Sequence, residues 1–411
     1  MTTSYTSHVA CRICKSTNLS IYLNLGMLPL SNNLEVTEKL AKDKERFPLE
    51  VMFCNNCGLS QLSVVVDPRE LFSYYTYVSG INKGYIQHCY KMAEELKEQF
   101  NLNCNTFHID IGGNDATLLL QFQKLLNHEI LNVDPSENLT EIARNKGVPS
   151  ITDFWGLPVT YKIGKRADLI TTTNVFAHLD NVREFMVACR GMLRPTSILV
   201  IENPYLIDFI ENMEFDTIYF EHVSYWSLLP MIKLCSDNDM KVISAEKQAI
   251  HGGSMRYTIA HEGSKYIPSP AIKNLCKEEK RRGFNTSSIY MEWANKVKAF
   301  ISEFRNNLLE LKKEGKTIIA FAASAKGNTL LNSTGITNDI IDCIIDETPG
   351  KIGKFYPGVG IPIIGIENIM KIQPDYIVIL SWNFKEEIIE KVRHLGYDKN
   401  FIIPIPRWEV I

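Results

Sequence analysis

Three observations predict an α/β protein built from three units. Between residues 107 and 202, short apolar runs that end in an acid or an amide alternate with helical patterns, as in a doubly wound sheet. A second series of apolar runs with the same rhythm begins at Lys316. Ahead of both lies a stretch from Met1 to Ser63 that is too short and too polar to build much core of its own, and it carries two CxxC pairs. A chain of 411 residues has room for two or three such units. The boundaries are expected at 1–73, 74–266 and 267–411.

In the first unit, Cys11, Cys14, Cys54 and Cys57 read as one structural zinc site. Each CxxC places two sulfurs on a tight turn, and two such turns close a tetrahedral thiolate shell with no open position. A closed shell is scaffold, not catalyst. Two disulfides are the alternative, but the other six cysteines are scattered singly and no signal peptide precedes Cys11. A strand is expected from Gln61 to Val66.

The central unit opens on the aromatic stretch Phe72 to Tyr77. Phe107 to Ile111 is a strand that contains Asp110 and runs into the turn Gly112-Gly113-Asn114-Asp115, with a helix expected over Ala116 to Leu126. Glycines there let a ligand approach the backbone closely. A dinucleotide fingerprint would need G-x-G-x-x-G, and the third glycine is missing. A second strand ends at Asp134, ahead of Pro135, well placed for two ribose hydroxyls, with a surface turn acid as the alternative. The third run offers Asp153 and Phe154 to an adenine, or Asp153 as a helix cap. The fourth, Asp168 to Asn174, opens into a loop. Without a pyrophosphate cradle this succession suits S-adenosylmethionine better than a dinucleotide.

Ligands bind outside the carboxyl ends of strands in open α/β sheets. His178 follows the fourth strand, and Tyr219, Glu221 and His222 follow the fifth, Ile198 to Glu202. A lone histidine among apolar residues, such as His178, is more often a satisfied core residue; four such groups on one rim form a proton-transfer set. An imidazole near its ordinary pKa of about 6.5 is largely free base at neutral pH.

Pro268-Ser269-Pro270 reads as a linker and Lys277 to Arg282 as a solvated helix face. Tyr290, Trp293, Val297, Phe300, Phe304, Leu308 and Leu311 recur at helical spacing. Strands follow at Lys316 to Ala322, Ile340 to Asp346, Tyr376 to Leu380 and Asn400 to Pro404. The net charge of −3 and 45% hydrophobic content show no basic stripe, which argues against a nucleic-acid partner. No apolar stretch is long enough to span a bilayer, so no membrane partner is expected and the protein is placed in the cytoplasm.

The motifs CRIC and CNNC, HIDIGGNDATLL, NVDPSEN, TTNVFAHLDN, IENPYLIDFIENMEFDTIYFEH, IHGGSMR and AKGNTLLN occur in that order. Together they resemble the S-adenosylmethionine-dependent C-methyltransferases of deoxysugar biosynthesis, notably the 3-C-methyltransferases of nucleotide-linked 4-keto-6-deoxysugars. The resemblance covers essentially the whole chain. It implies a class I methyltransferase core between the zinc unit and a carboxy-terminal Rossmann-like unit, with a sugar nucleotide, dTDP- or GDP-linked, lying between them and the chain acting as a monomer. It implies His222 as general base, with Tyr219, Glu221 and His178 shaping its site and one of Tyr74, Tyr75 and Tyr77, preferably Tyr77, reaching the sugar. Asn174 is expected to serve both ligands, and Lys326, Asn328 and Thr329 to face the diphosphate.

Three departures from the family pattern stand out. Phe220 replaces a usual histidine, Gly113-Asn114-Asp115-Ala116 replaces SNDG, and Ala322-Ala323-Ser324-Ala325 replaces a glycine-rich turn. The implied reaction removes the C3 hydrogen beside the C4 ketone, stabilises the enolate through Tyr219 or His178, and lets C3 take the methyl group. A zinc-ribbon nucleic-acid methyltransferase and a catalytically silent sugar-nucleotide binder are the rival readings.

Overall fold

The computed structural model describes residues 5–411. Three larger sheets and one two-stranded pair organise the described residues.

The central sheet has seven strands. From edge to edge they are Met240–Gln248, Ser254–His261, Leu193–Pro204, Ala167–Thr173, Phe107–Ile111, Glu129–Asp134 and Ser150–Thr152. The last five in that order pair parallel, while Ser254–His261 runs antiparallel to both its neighbours. Phe107–Ile111 is buried at every position, as a strand covered on both faces must be. The helix after the glycine turn spans Thr117–Leu126, one residue short of the expected start, because Ala116 takes a left-handed φ of 63°.

The amino-terminal sheet is antiparallel, in the order Ser224–Tyr225, Ser60–Leu62, Phe47–Cys54, Leu19–Leu28. Its edge strand comes from the central unit: Ser224 and Tyr225 pair with Gln61 and Ser60, and the Leu62 amide donates to the Val223 carbonyl at 2.9 Å. The expected run Gln61 to Val66 is two strands, Ser60–Leu62 and Val64–Val66, the second pairing with Tyr5–Ser7.

The carboxy-terminal sheet has six strands in the order Ile363–Ile364, Ile344–Ile345, Ile318–Phe321, Tyr376–Ile379, Asn400–Ile403 and Glu409–Val410, with only the last antiparallel. The long helix Ser287–Lys313 buries Tyr290, Trp293, Val297, Phe300, Phe304 and Leu308, while Leu311 is only half-buried. It lies on the amino-terminal sheet, where Tyr290 stacks on Phe53 at 4.8 Å and touches Tyr22 at 5.2 Å.

Two expectations are corrected. Ser269 is no linker residue; its hydroxyl accepts from the Ala271 amide and caps the helix Pro270–Arg281. Within the charged run, Glu279 is fully buried, because its carboxylate accepts from the Leu228 and Leu229 amides at 2.8 and 3.1 Å and from the Tyr205 hydroxyl at 2.7 Å.

Candidate active site and metal centre

The four knuckle cysteines converge. Their sulfurs all lie within 4.8 Å of one another, with Cys11 to Cys57 at 3.4 Å and Cys14 to Cys54 at 3.5 Å. Zn–S bonds of about 2.3 Å in a tetrahedron put sulfurs roughly 3.8 Å apart, so the set fits a zinc ion with no other donor. The two turns are built alike: the Lys15 amide donates to the Cys11 carbonyl and the Gly58 amide to that of Cys54, with φ of 59° at Lys15 and 81° at Gly58. Arg12, inside the first knuckle, is 2% exposed and donates from Nε to Asp180 at 3.0 Å, two residues beyond His178.

The glycine turn sits at the carboxyl end of Phe107–Ile111. Gly112 has φ of 64°, and a Cβ at Gly113 would meet Asn132 Oδ1 at 2.4 Å and Asp110 Oδ2 at 2.7 Å. Both of those oxygens are buried without a hydrogen-bond partner. They form a polar cradle of the kind a ligand ammonium group satisfies. Burial raises the Asp110 carboxyl to about 7, against the opposing hydrogen bond from Thr171. Asp134 accepts from the Asn114 amide at 2.9 Å and the Ser136 amide at 2.8 Å, so it joins the first two strand-end loops; Pro135 beside it is half-buried.

A strap of chain crosses these loops. Asn114 donates from Nδ2 to the Tyr77 carbonyl and accepts from the Ser79 amide, Asn138 exchanges two hydrogen bonds with the Tyr75 backbone, and Ser136 donates to the Phe72 carbonyl. Asp153 lies apart from Asp110 and Asp134 in its commitments, because it pairs with Lys162 at 2.6 Å, while Phe154 beside it is 38% exposed. Asn174, with φ of 57°, is half-buried where the fourth strand ends.

Three of the four expected reactive groups form one stack. Phe72 lies 5.3 Å from His178, His178 lies 5.1 Å from His222, and His222 lies 4.1 Å from Tyr219, measured between ring centroids. His222 Nδ1 is 2.9 Å from the Thr217 carbonyl, which can only accept, so Nδ1 carries the hydrogen and Nε2 offers its lone pair. The Tyr219 hydroxyl reaches that Nε2 at 3.0 Å. Burial, aided by His178, holds His222 well below the ordinary histidine range, and burial takes His178 down to about 4.

Glu221 points the other way, accepting from Asn32 of the amino-terminal unit at 2.9 Å through one oxygen while the other is buried without a partner. Burial raises its carboxyl to about 6. Among the three tyrosines, Tyr75 is half-buried and its phenol is raised by burial and by Glu221, while the Tyr219 phenol in turn is raised by burial and by Tyr75. The Tyr77 ring is 46% exposed and senses Asp115 instead. The Tyr75 ring centroid lies 5.9 Å from that of Phe72, the ring that begins the stack, a placement that three tyrosines in four positions could not reveal.

In the carboxy-terminal unit, Asn328 and Thr329 are each 1% exposed, and their side chains donate to the Pro357 and Ile218 carbonyls. Lys326 is reachable, with Nζ 4.7 Å over the Trp382 ring and 3.9 Å from Glu214. Periodicity gave no sign of Trp382 or Asp216, which meet at 2.7 Å beneath the stack-bearing segment.

Family models match three consecutive stretches: a zinc binding domain over residues 11–72, a methyltransferase domain over 85–245 and a C-methyltransferase C-terminal domain over 249–406. The C-methyltransferase NovU of Streptomyces niveus is 31% identical over 405 residues, which is 98% of this chain and 96% of that protein. Among solved structures, magnesium protoporphyrin IX methyltransferase from Synechocystis with bound SAM matches at 12% identity and a TM-score of 0.34, covering 43% of this chain and 80% of that one. An S-adenosylmethionine-dependent methyltransferase from Clostridium acetobutylicum matches at 12% identity and a TM-score of 0.36, covering 43% of this chain and 92% of that one.

Proposed function

The chain belongs to the zinc-containing, S-adenosylmethionine-dependent C-methyltransferases, and from that premise we propose that it methylates C3 of a nucleotide-linked 4-keto-6-deoxysugar, with His222 as the base. The observation that carries the proposal is the tautomer of His222. Its Nδ1–H is committed to a backbone carbonyl, so the unprotonated Nε2 faces the phenol of Tyr219.

Within this reading the three units divide at 1–73, 74–266 and 267–411, and each contributes to one cleft. Bound S-adenosylmethionine supplies an electrophilic methyl group on a sulfonium. The Asp110, Gly112, Gly113, Asn114 and Asp134 cradle holds it, with Pro135, Asp153, Phe154 and Asn174 along the same rim. Asn174 and Lys326 face the sugar nucleotide; Asn328 and Thr329 support that wall from behind, since both are buried.

A C4 oxygen that takes the Tyr219 hydrogen bond leaves the Nε2 lone pair open toward C3. His222 then removes the C3 proton and becomes imidazolium, and the electron pair moves to the C4 oxygen. The phenol strengthens its bond as that charge develops, which lowers the barrier selectively. His178, held neutral, stacks on the imidazolium as it forms and adds no repelling charge. C3 of the enolate would take the methyl group, the S–CH3 bond breaking with its electron pair left on the sulfur of S-adenosylhomocysteine; the carbonyl re-forms, and the proton on His222 leaves to solvent. Glu221, bonded to Asn32, and Tyr75 line the side facing the zinc unit. The closed thiolate shell takes no step in this chemistry.

Incubation of the protein with methyl-labelled S-adenosylmethionine and dTDP-, GDP- and CDP-linked 4-keto-6-deoxysugars tests the reading. Label on carbon of one of them is expected. Label only on oxygen or nitrogen, or none on any of the panel, would remove the sugar C3 assignment.

A further inference from the structure

We infer that the carboxy-terminal unit sets the position of the base, through Thr329 and Trp382 acting as positioning residues for His222; this rests on the reading of His222 as base. Among the described residues, the bond that orients the His222 ring from its Nδ1 side is the one to the Thr217 carbonyl. Thr217 closes a three-residue 3-10 turn, Phe215–Thr217, that has no side-chain cap of its own. A single turn of this kind has little intrinsic stability.

Its neighbours on both sides are held from outside. Asp216 Oδ2 accepts from Trp382 Nε1 at 2.7 Å, and the Ile218 carbonyl accepts from Thr329 Oγ1 at 2.9 Å. All four participating groups are buried, so these bonds act in a low dielectric and have no water to replace them. The carbonyl that fixes the tautomer of His222 is thus suspended between two anchors, each one residue away. Trp382 follows the strand Tyr376–Ile379, and Thr329 lies in the helix Ala325–Thr334 that follows Ile318–Phe321. Both project from the carboxyl ends of adjacent parallel strands, the rim from which such a sheet normally addresses a ligand. Here that rim addresses a segment of the protein.

Loss of either anchor lets the Thr217 carbonyl drift. A displacement on the order of 1 Å at a base costs up to about a hundredfold in rate. Thr329→Val removes the hydroxyl at equal size, Thr329→Ser keeps it, and Trp382→Phe removes the other donor while keeping a ring. In full-length protein labelled with 15N-histidine, the His222 resonances, identified by their loss in His222→Asn, report the tautomer directly. Thr329→Val and Trp382→Phe should each shift the Nδ1 resonance or broaden it, and Thr329→Ser should retain the wild-type position. On the sugar nucleotide that the wild type methylates, kcat should fall about tenfold in Thr329→Val, with KM for either substrate changed less than about twofold. Unchanged His222 resonances in both Thr329→Val and Trp382→Phe would overturn the inference while leaving the base reading intact. Full turnover by His222→Asn would overturn the base reading, and this inference with it.

Discussion

Glu279 shows how one side chain can escape a pattern. The run Lys277 to Arg282 alternates charge as a solvated face does, yet Glu279 is 0% exposed because it caps the first turn of the helix Leu228–Ser236 from a different helix. Burial raises its pKa, and the Tyr205 hydroxyl, the Leu228 and Leu229 amides and the Ser227 hydroxyl resist that shift, which is the signature of a carboxylate that is buried but satisfied. Glu279→Ala leaves two amides and a phenol without an acceptor. It should cost about 3 kcal/mol in denaturant unfolding. Asp134 is the corresponding test in the cradle proposed for the cofactor. Because it joins the Asn114 and Ser136 amides, Asp134→Ala should weaken S-adenosylmethionine binding by at least about tenfold in calorimetry, the equivalent of roughly 1.4 kcal/mol. Unchanged affinity would move the proposed ribose site elsewhere. Ala322, in the turn that stands where the family resemblance implies a glycine-rich one, has φ of 74°. A side chain in that left-handed backbone costs roughly 1–2 kcal/mol, which a glycine there would avoid.

At the scale of elements, the second knuckle and the segment after His222 share a sheet. Ser224–Tyr225, beginning two residues beyond His222, is the edge strand of the sheet that carries Cys54 at the end of Phe47–Cys54. On the proposed reading the metal therefore supports the proposed base mechanically, without taking part in the reaction. Cys54→Ser should lose zinc by elemental analysis, because structural zinc binding and local folding are one free energy. The same variant should lose turnover while its affinity for S-adenosylmethionine changes little, since the cradle rests on the central sheet. A metal-free Cys54→Ser protein with full activity would sink this account of the knuckles.

Across the whole molecule, what could be read in the sequence was local. Each strand-end acid or amide of the central sheet stands at a boundary between an apolar run and a turn, and the two CxxC turns announce themselves by spacing alone. The burial of Tyr290 through Leu308 likewise follows from a period of three and four. Contacts between units were not legible, because no local pattern encodes a partner 111 residues away, as for Thr329 and Ile218, or 189 away, as for Asn32 and Glu221. The placement of Tyr75 beside Phe72 also depends on how the strap lies across the cofactor loops, which composition does not specify.

Burial gives the chemistry a pH dependence with a definite sign. A histidine whose folded pKa is lowered stays unprotonated as pH falls through its ordinary value near 6.5, so the acid limb of kcat should lie below pH 6.5. An acid limb centred above 7 would point to a different ionising group.

Exchange of the C3 hydrogen with deuterated water tests the central claim most directly, because it isolates proton removal from methyl transfer. With the sugar nucleotide and S-adenosylhomocysteine bound, the wild type should exchange that hydrogen, His222→Asn should abolish the exchange, and Tyr219→Phe should reduce it only in part. Undiminished exchange in His222→Asn would contradict the account and pass the base to His178, 5.1 Å away in the same stack.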